Sequence, residues 1–116
     1  MTKSITPFDV VLVPFPFSNL EPGKRRPCLV LARADPPRLP RHFIVAMMTS
    51  HIKKRFPHDV LLHEHSEAGL PKPTLVRLFK VVAIDESLSP RRLGALSKRD
   101  RSRISAELKR ILASCL

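Results

Sequence analysis

The sequence predicts a small, mainly β domain closed by a C-terminal helix, and two observations carry that fold class. Up to about residue 97, short apolar and β-branched runs alternate with turn residues, five or six times over. Beyond it the apolar spacing lengthens from that of a strand to that of a helix. Strands so short, joined by tight turns, imply a strongly bent antiparallel sheet or barrel. On pattern alone an SH3-like barrel, an OB-fold and an open α+β sheet stay open. With 116 residues and 43% apolar content, the chain has the size of one domain, 1–116, around a single modest core.

FDVVLVPF, residues 8–15, is apolar and β-branched and reads as a buried strand. Pro14 and Pro16 end it, because proline has no N–H for a ladder. SNLEPG, residues 18–23, is a loop by its turn chemistry, and PCLVLAR, residues 27–33, is the second strand. DPPRLPR, residues 35–41, holds three prolines and forms a stiff, exposed connection. HFIVAMMT (42–49) is the third strand and HDVLLHE (58–64) a short fourth. TLVRLFKVVAID (74–85) is the fifth, its apolar residues interrupted by Arg77 and Lys80, and RRLGALS (91–97) is a short last one.

Then the period changes. Ile104, Leu108, Ile111, Leu112 and Cys115 share one face of a helix running from near residue 98 to about 114. Ser97 with Asp100 three residues on has the form of a capping box, Asp standing in for the usual Glu or Gln. The opposite face carries Arg101, Arg103, Lys109 and Arg110 and reads as solvated.

Lys and Arg number 21 against 10 Asp and Glu, a formal charge of +11. That excess on so small a domain favours a polyanionic partner, with nucleic acid ahead of a membrane surface. No run approaches the roughly 18 apolar residues of a membrane span. The N-terminal residues lack a signal-peptide layout, so a cytoplasmic location is expected. Cys28 and Cys115 are too few for a disulfide scaffold; Cys28, inside an apolar run, reads as a small core residue.

Two stretches could carry chemistry. Lys24-Arg25-Arg26 follows Gly23 and precedes Pro27, so a guanidinium there stands on a constrained strand end and can present its planar fork to a phosphate. The same three cations would also serve as gatekeepers beside a sticky strand. In MMTSHIKKR, residues 47–55, Thr49 and Ser50 end a strand and His51, Lys53, Lys54 and Arg55 follow. Hydroxyls beside cations can donate to phosphate oxygens; equally, Thr49 or Ser50 would cap a short turn. A metal site is not expected: His63-Glu64-His65 has no third ligand, and neither HExxH nor CxxC occurs. A serine hydrolase is not expected either, without a nucleophile elbow.

DVVLVPFPFSNLEPGKRRPCLVLA, IVAMMTS, AGLPKPTLVRLFKVVAID and RRLGALSKRD, in that order, resemble the MazF/PemK toxins of type II toxin–antitoxin systems over residues 8–112. The resemblance implies an SH3-like barrel with a C-terminal helix, a homodimer, and an endoribonuclease that cuts single-stranded RNA without a metal or other cofactor. It places the catalytic arginine at Arg26, the catalytic threonine at Thr49 and, as some members have it, a glutamate at Glu21. RNA contacts are then expected from Ser18, Asn19, Lys24, Arg25, Ser50, His51, Lys53, Lys54 and Lys80. A cognate antitoxin is the implied protein partner. The chain departs from the family at Phe8, where glycine usually precedes the Asp-Val of the first strand. With no Trp or Tyr, base stacking falls to phenylalanine, histidine or guanidinium planes. Phe17 and Phe56 stand nearest the expected site, and the other phenylalanines read as core. Two rivals keep the fold and drop the catalysis: a gyrase-poisoning toxin, which depends on a C-terminal Trp this chain lacks, and an inactive nucleic-acid-binding module.

Overall fold

The computed structural model describes residues 4–14 and 24–116. Six strands lie in it: β1 (Asp9–Pro14), β2 (Arg25–Ala34), β3 (His42–Thr49), β4 (Asp59–Leu61), β5 (Leu75–Asp85) and β6 (Arg91–Ala95). The helix α1 (Lys98–Leu112) follows, with a short 3-10 turn at Ala113–Cys115. The strands form one antiparallel sheet in the order β4-β5-β3-β2-β1-β6. The expected barrel is therefore a bent open sheet: among the described residues, β4 and β6 are its edges and do not pair.

Departures from the sequence reading are local and have physical causes. β2 begins two residues before Pro27, which pairs with Leu12 of β1. Proline is tolerated there because the β3 ladder starts only at Cys28↔Met47, so no N–H is needed on that side. β4 is shorter than expected. His58 before it has a left-handed backbone (φ 64°), and beyond it the N–H groups of His63 and Glu64 turn to Asp100. β5 is interrupted at the place where its charges stand. Ala46 pairs with Val81 and Met47 with Arg77, leaving Leu78, Phe79 and Lys80 outside the β3 register. A break of that kind bends the sheet.

Buried clusters lie on both faces of the sheet. One cluster joins Val10, Leu29, Ala46, Met48, Val76 and Leu78 to Ile104 of α1; the other gathers Val11, Val13, Cys28, Val30, Phe43 and Val45. The alternation follows from the two-residue period of a strand. Burial pushes the Cys28 thiol up to about 12, so the thiolate is negligible at neutral pH and Cys28 is a core residue. Two glycines let the loop before β5 approach β6. A Cβ on Gly69 (φ 80°) would stand 2.5 Å from the Leu93 carbonyl oxygen, and one on Gly94 would stand 2.7 Å from the Ala68 carbonyl.

α1 starts where the sequence places it. The Ser97 side chain accepts from the Asp100 N–H at 3.2 Å. The reciprocal half of the box is absent. Asp100 turns inward, fully buried, and its carboxylate accepts from the N–H groups of His63 and Glu64 (2.9 Å each) and from Arg103 (3.0 Å). Of the expected apolar helix face, Ile104, Leu108 and Ile111 pack on the sheet. Leu112 and Cys115 do not; both are exposed. Phe8 also departs from expectation. It is half-buried against the core with a left-handed backbone (φ 72°), its N–H bonded to the Val30 carbonyl and its carbonyl to the Leu96 N–H. That conformation costs a non-glycine residue about 1–2 kcal/mol, which explains why glycine suits the position.

Candidate functional site

The two strand ends singled out in the sequence meet. Cys28 of β2 faces Met47 of β3, so residues two further along toward the open end, Arg26 and Thr49, lie on the same face of adjacent strands. Arg26 is half-buried and registered with Val13 of β1; Thr49 is half-buried and registered with Leu75 of β5.

Beside Thr49 the chain turns tightly. The Thr49 hydroxyl oxygen accepts from the His51 N–H at 3.1 Å, the Ser50 carbonyl from the Ile52 N–H at 2.9 Å, and the Ile52 carbonyl from Arg55 at 3.0 Å. Thr49 thus organises a turn rather than capping a helix. With its oxygen held by a backbone donor, its O–H stays directed elsewhere and can donate. An open cleft of about 630 Å³ lies here; Thr49, Ser50, His51, Lys53, Lys54 and Arg77 are among the eight residues that line it, and three of the eight are cations.

Arg77 was not expected here; its only sequence signal is a charge inside an apolar strand. Its side chain is 13% exposed. It donates to the Lys54 carbonyl at 2.6 Å and to Asp59 at 3.3 Å. The same Asp59 oxygen accepts from the Phe56 N–H at 2.8 Å, so Arg77 and Asp59 together hold both ends of the basic turn. The second Asp59 oxygen is buried with no hydrogen-bond partner.

The remaining expected residues are distributed unevenly. Lys24 and Arg25 are exposed at the start of β2. One nitrogen of Arg25 bridges the Leu12 and Ser89 carbonyls, at 3.1 and 2.9 Å, tying β1 to the turn before β6. Lys80 lies in the break of β5 and is outside the cleft lining, as is Arg26. Ser18, Asn19 and Glu21, with Phe17, lie outside the described residues. Phe56 is exposed at the end of the basic turn; Phe79, expected in the core, is 53% exposed. His63 and Glu64 contribute their backbone to Asp100, and among the described residues no three His, Cys, Asp or Glu side chains gather as metal ligands would. No helix among the described residues is long and apolar enough to cross a membrane.

The family model for the PemK-like, MazF-like toxin of type II toxin–antitoxin systems matches residues 6–112. Among solved structures, MazF of Deinococcus radiodurans (Form-I) aligns over 97% of this chain and 99% of its own, with 22% identity and a TM-score of 0.68. A MazE–MazF structure from the same organism (Form-II) aligns over 96% and 97%, with 19% identity and a TM-score of 0.68. At such identities the likeness establishes the fold. No curated protein sequence matches the chain.

Proposed function

The chain belongs to the PemK-like, MazF-like family of type II toxin–antitoxin toxins, and on that premise we propose that it is an endoribonuclease cutting single-stranded RNA without a metal. The observation that carries the reading is the β2–β3 register, which brings Arg26 and Thr49 to one face beside a cationic cleft. RNA supplies its own nucleophile, the ribose 2′-OH. The protein has to align the phosphate, stabilise the charge of the pentacoordinate transition state and move two protons. Thr49 donates its O–H to a non-bridging oxygen, and the His51 N–H fixes its rotamer. The Arg26 guanidinium stabilises the developing charge. A guanidinium is a poor base near neutral pH, so the proton of the 2′-OH is assigned to Glu21, with His51 as the alternative acceptor. Lys24, Arg25, Lys53 and Lys54 supply salt-dependent backbone affinity, joined by Ser18, Asn19, Ser50 and Lys80 along the strand. The products are a 2′,3′-cyclic phosphate and a 5′-hydroxyl.

The working molecule is a homodimer held by an acidic antitoxin. Ile44 and Val81 are 45% and 41% exposed, Ile44 pairs across to Ala83, and this apolar strip is the surface a second copy would cover. The MazE–MazF neighbour supports an antitoxin partner. Incubating the protein with long single-stranded RNA in EDTA and mapping the ends tests the nuclease. Discrete cuts with 5′-hydroxyl ends are expected, reduced at least about 100-fold by Arg26→Ala and by Thr49→Ala. Intact RNA across several substrates, with folded protein, overturns the reading.

A further inference from the structure

The outer face of α1 carries a second groove, of about 680 Å³, that shares no residue with the cleft at Thr49. Phe8, Lys98, Arg101, Ser102, Ser105 and Lys109 line it. Phe8 is bonded to Val30, four residues along β2 from Arg26, or about 13 Å at the rise of a strand. The Arg101 guanidinium lies 4.8 Å from the centre of the Phe8 ring. Lys98 and Lys109 are exposed, with no acidic partner among the described residues.

The acids of α1 are turned away from this groove. Asp100 is buried on the His63–Glu64 turn, and Glu107 pairs with His58 (2.5 Å) and Arg110 (2.6 Å). The groove is left with cations only. From Lys98 to Lys109 they run along about 16 Å of helix, enough for several phosphates of an extended strand. The Ser102 hydroxyl donates to the Lys98 carbonyl, which leaves Ser105 as a hydroxyl donor.

We infer that this groove is a second contact for single-stranded RNA, in which Lys98, Arg101 and Lys109 neutralise backbone phosphates and a base stacks on the Phe8–Arg101 pair. Charge complementarity alone would admit an acidic peptide. The stacked ring and guanidinium favour a nucleobase, whose flat face such a pair accepts whatever the sequence. α1 and Phe8 lie on one face of the sheet; Cys28 and Met47, and with them Arg26 and Thr49, lie on the opposite face. An RNA engaging both sites therefore has to pass round an edge of the sheet, and the inference rests on the nuclease reading above.

The test is fluorescence anisotropy with an uncleavable 2′-O-methyl oligoribonucleotide of mixed sequence, long enough to span both sites, titrated across salt concentrations. The variants are Lys98→Gln/Arg101→Gln/Lys109→Gln and Phe8→Gly, each checked by thermal melting, with Arg26→Ala as the control for the cleft. The triple variant is expected to bind about tenfold more weakly, with a salt slope shallower by about 2, since each single-strand phosphate contributes about 0.7. Phe8→Gly is expected to lose about fivefold in affinity with the slope unchanged. Unaltered affinity and slope in the triple variant overturn the inference even where RNA is cleaved. Weaker binding of the triple variant without any cleavage by the unaltered protein keeps this contact and removes the nuclease. Polyglutamate competing through the same three residues, with RNA unaffected by them, reassigns the groove to an acidic protein and overturns it too.

Discussion

Two buried aspartates each hold a loop to the scaffold, and they do so to different degrees. Asp100, inside α1, has both carboxylate oxygens occupied: one by the His63 N–H and Arg103, the other by the Glu64 N–H. Asp59, at the start of β4, has one oxygen shared by the Phe56 N–H and Arg77, and the other buried without a partner. The complete arrangement lies away from the cleft and fastens the helix to the sheet. The incomplete one lies beneath the basic turn that lines it. A buried acceptor without a partner costs free energy, so the turn at Thr49 is less firmly held than the junction at α1. On the proposed nuclease reading, which needs a polyanion to enter and leave, the looser attachment stands at the cleft.

Removing the complete anchor should have the largest effect on stability. Asp100→Ala leaves two backbone donors and Arg103 without their acceptor, and is expected to lower unfolding free energy by about 3 kcal/mol in urea titrations. A loss below about 1 kcal/mol would erase the difference between the anchors. Arg77→Gln should cost less, about 1–2 kcal/mol. It releases the Lys54 carbonyl, and on the proposed reading, in which Lys53 and Lys54 bind RNA, it should reduce RNA cleavage about tenfold, chiefly through KM. Equal losses in RNA cleavage for both variants would show that the turn has no special link to the cleft.

Acid acts on the Asp100 anchor directly. Burial pushes the Asp100 carboxyl up, but the N–H groups of His63 and Glu64 and the Arg103 guanidinium outweigh it, and the net shift is downward. A carboxylate with a depressed folded value contributes stability above its unfolded pKa of about 3.9, and loses it as pH falls through the folded value. Asp100→Asn should therefore flatten the stability profile below about pH 4 while lowering stability at neutral pH. A profile as steep as that of the unaltered protein would assign acid sensitivity elsewhere. The smallest effect is expected at Glu107. Its carboxyl is held below its ordinary range by the hydrogen bond with His58 and then by Arg110, yet both partners are exposed and the pairs are screened by solvent. Glu107→Gln should leave the urea midpoint within error.

Much of the architecture is legible in local chemistry. β3 coincides with the run HFIVAMMT, and α1 begins one residue after Ser97, because β-branched alternation and an N-cap hydroxyl act over a few residues only. The strand ends draw attention to Lys24, Arg25 and Arg26 and to Thr49 and Ser50; it is the family resemblance that singles out Arg26 and Thr49. Register made them neighbours, and register is a property of two strands together. The roles of Arg77 and Asp59 are invisible locally for that reason: a lone arginine in an apolar strand has no explanation until the turn it supports lies beside it. Phe8 is the converse case. Its sequence neighbourhood announces a strand, while its left-handed backbone is accompanied by bonds to Val30 of β2 and to Leu96, just beyond β6.

Element order, the net positive charge and the residues at the strand ends were already written in the chain, since these depend on composition and on spacing of a few residues. Only the tertiary structure decided that the sheet stays open, that Asp100 turns from capping its own helix to holding the His63–Glu64 turn, and that the cations divide between two separate grooves. These depend on which distant residues share a face, and long-range packing sets that where local preference has no reach.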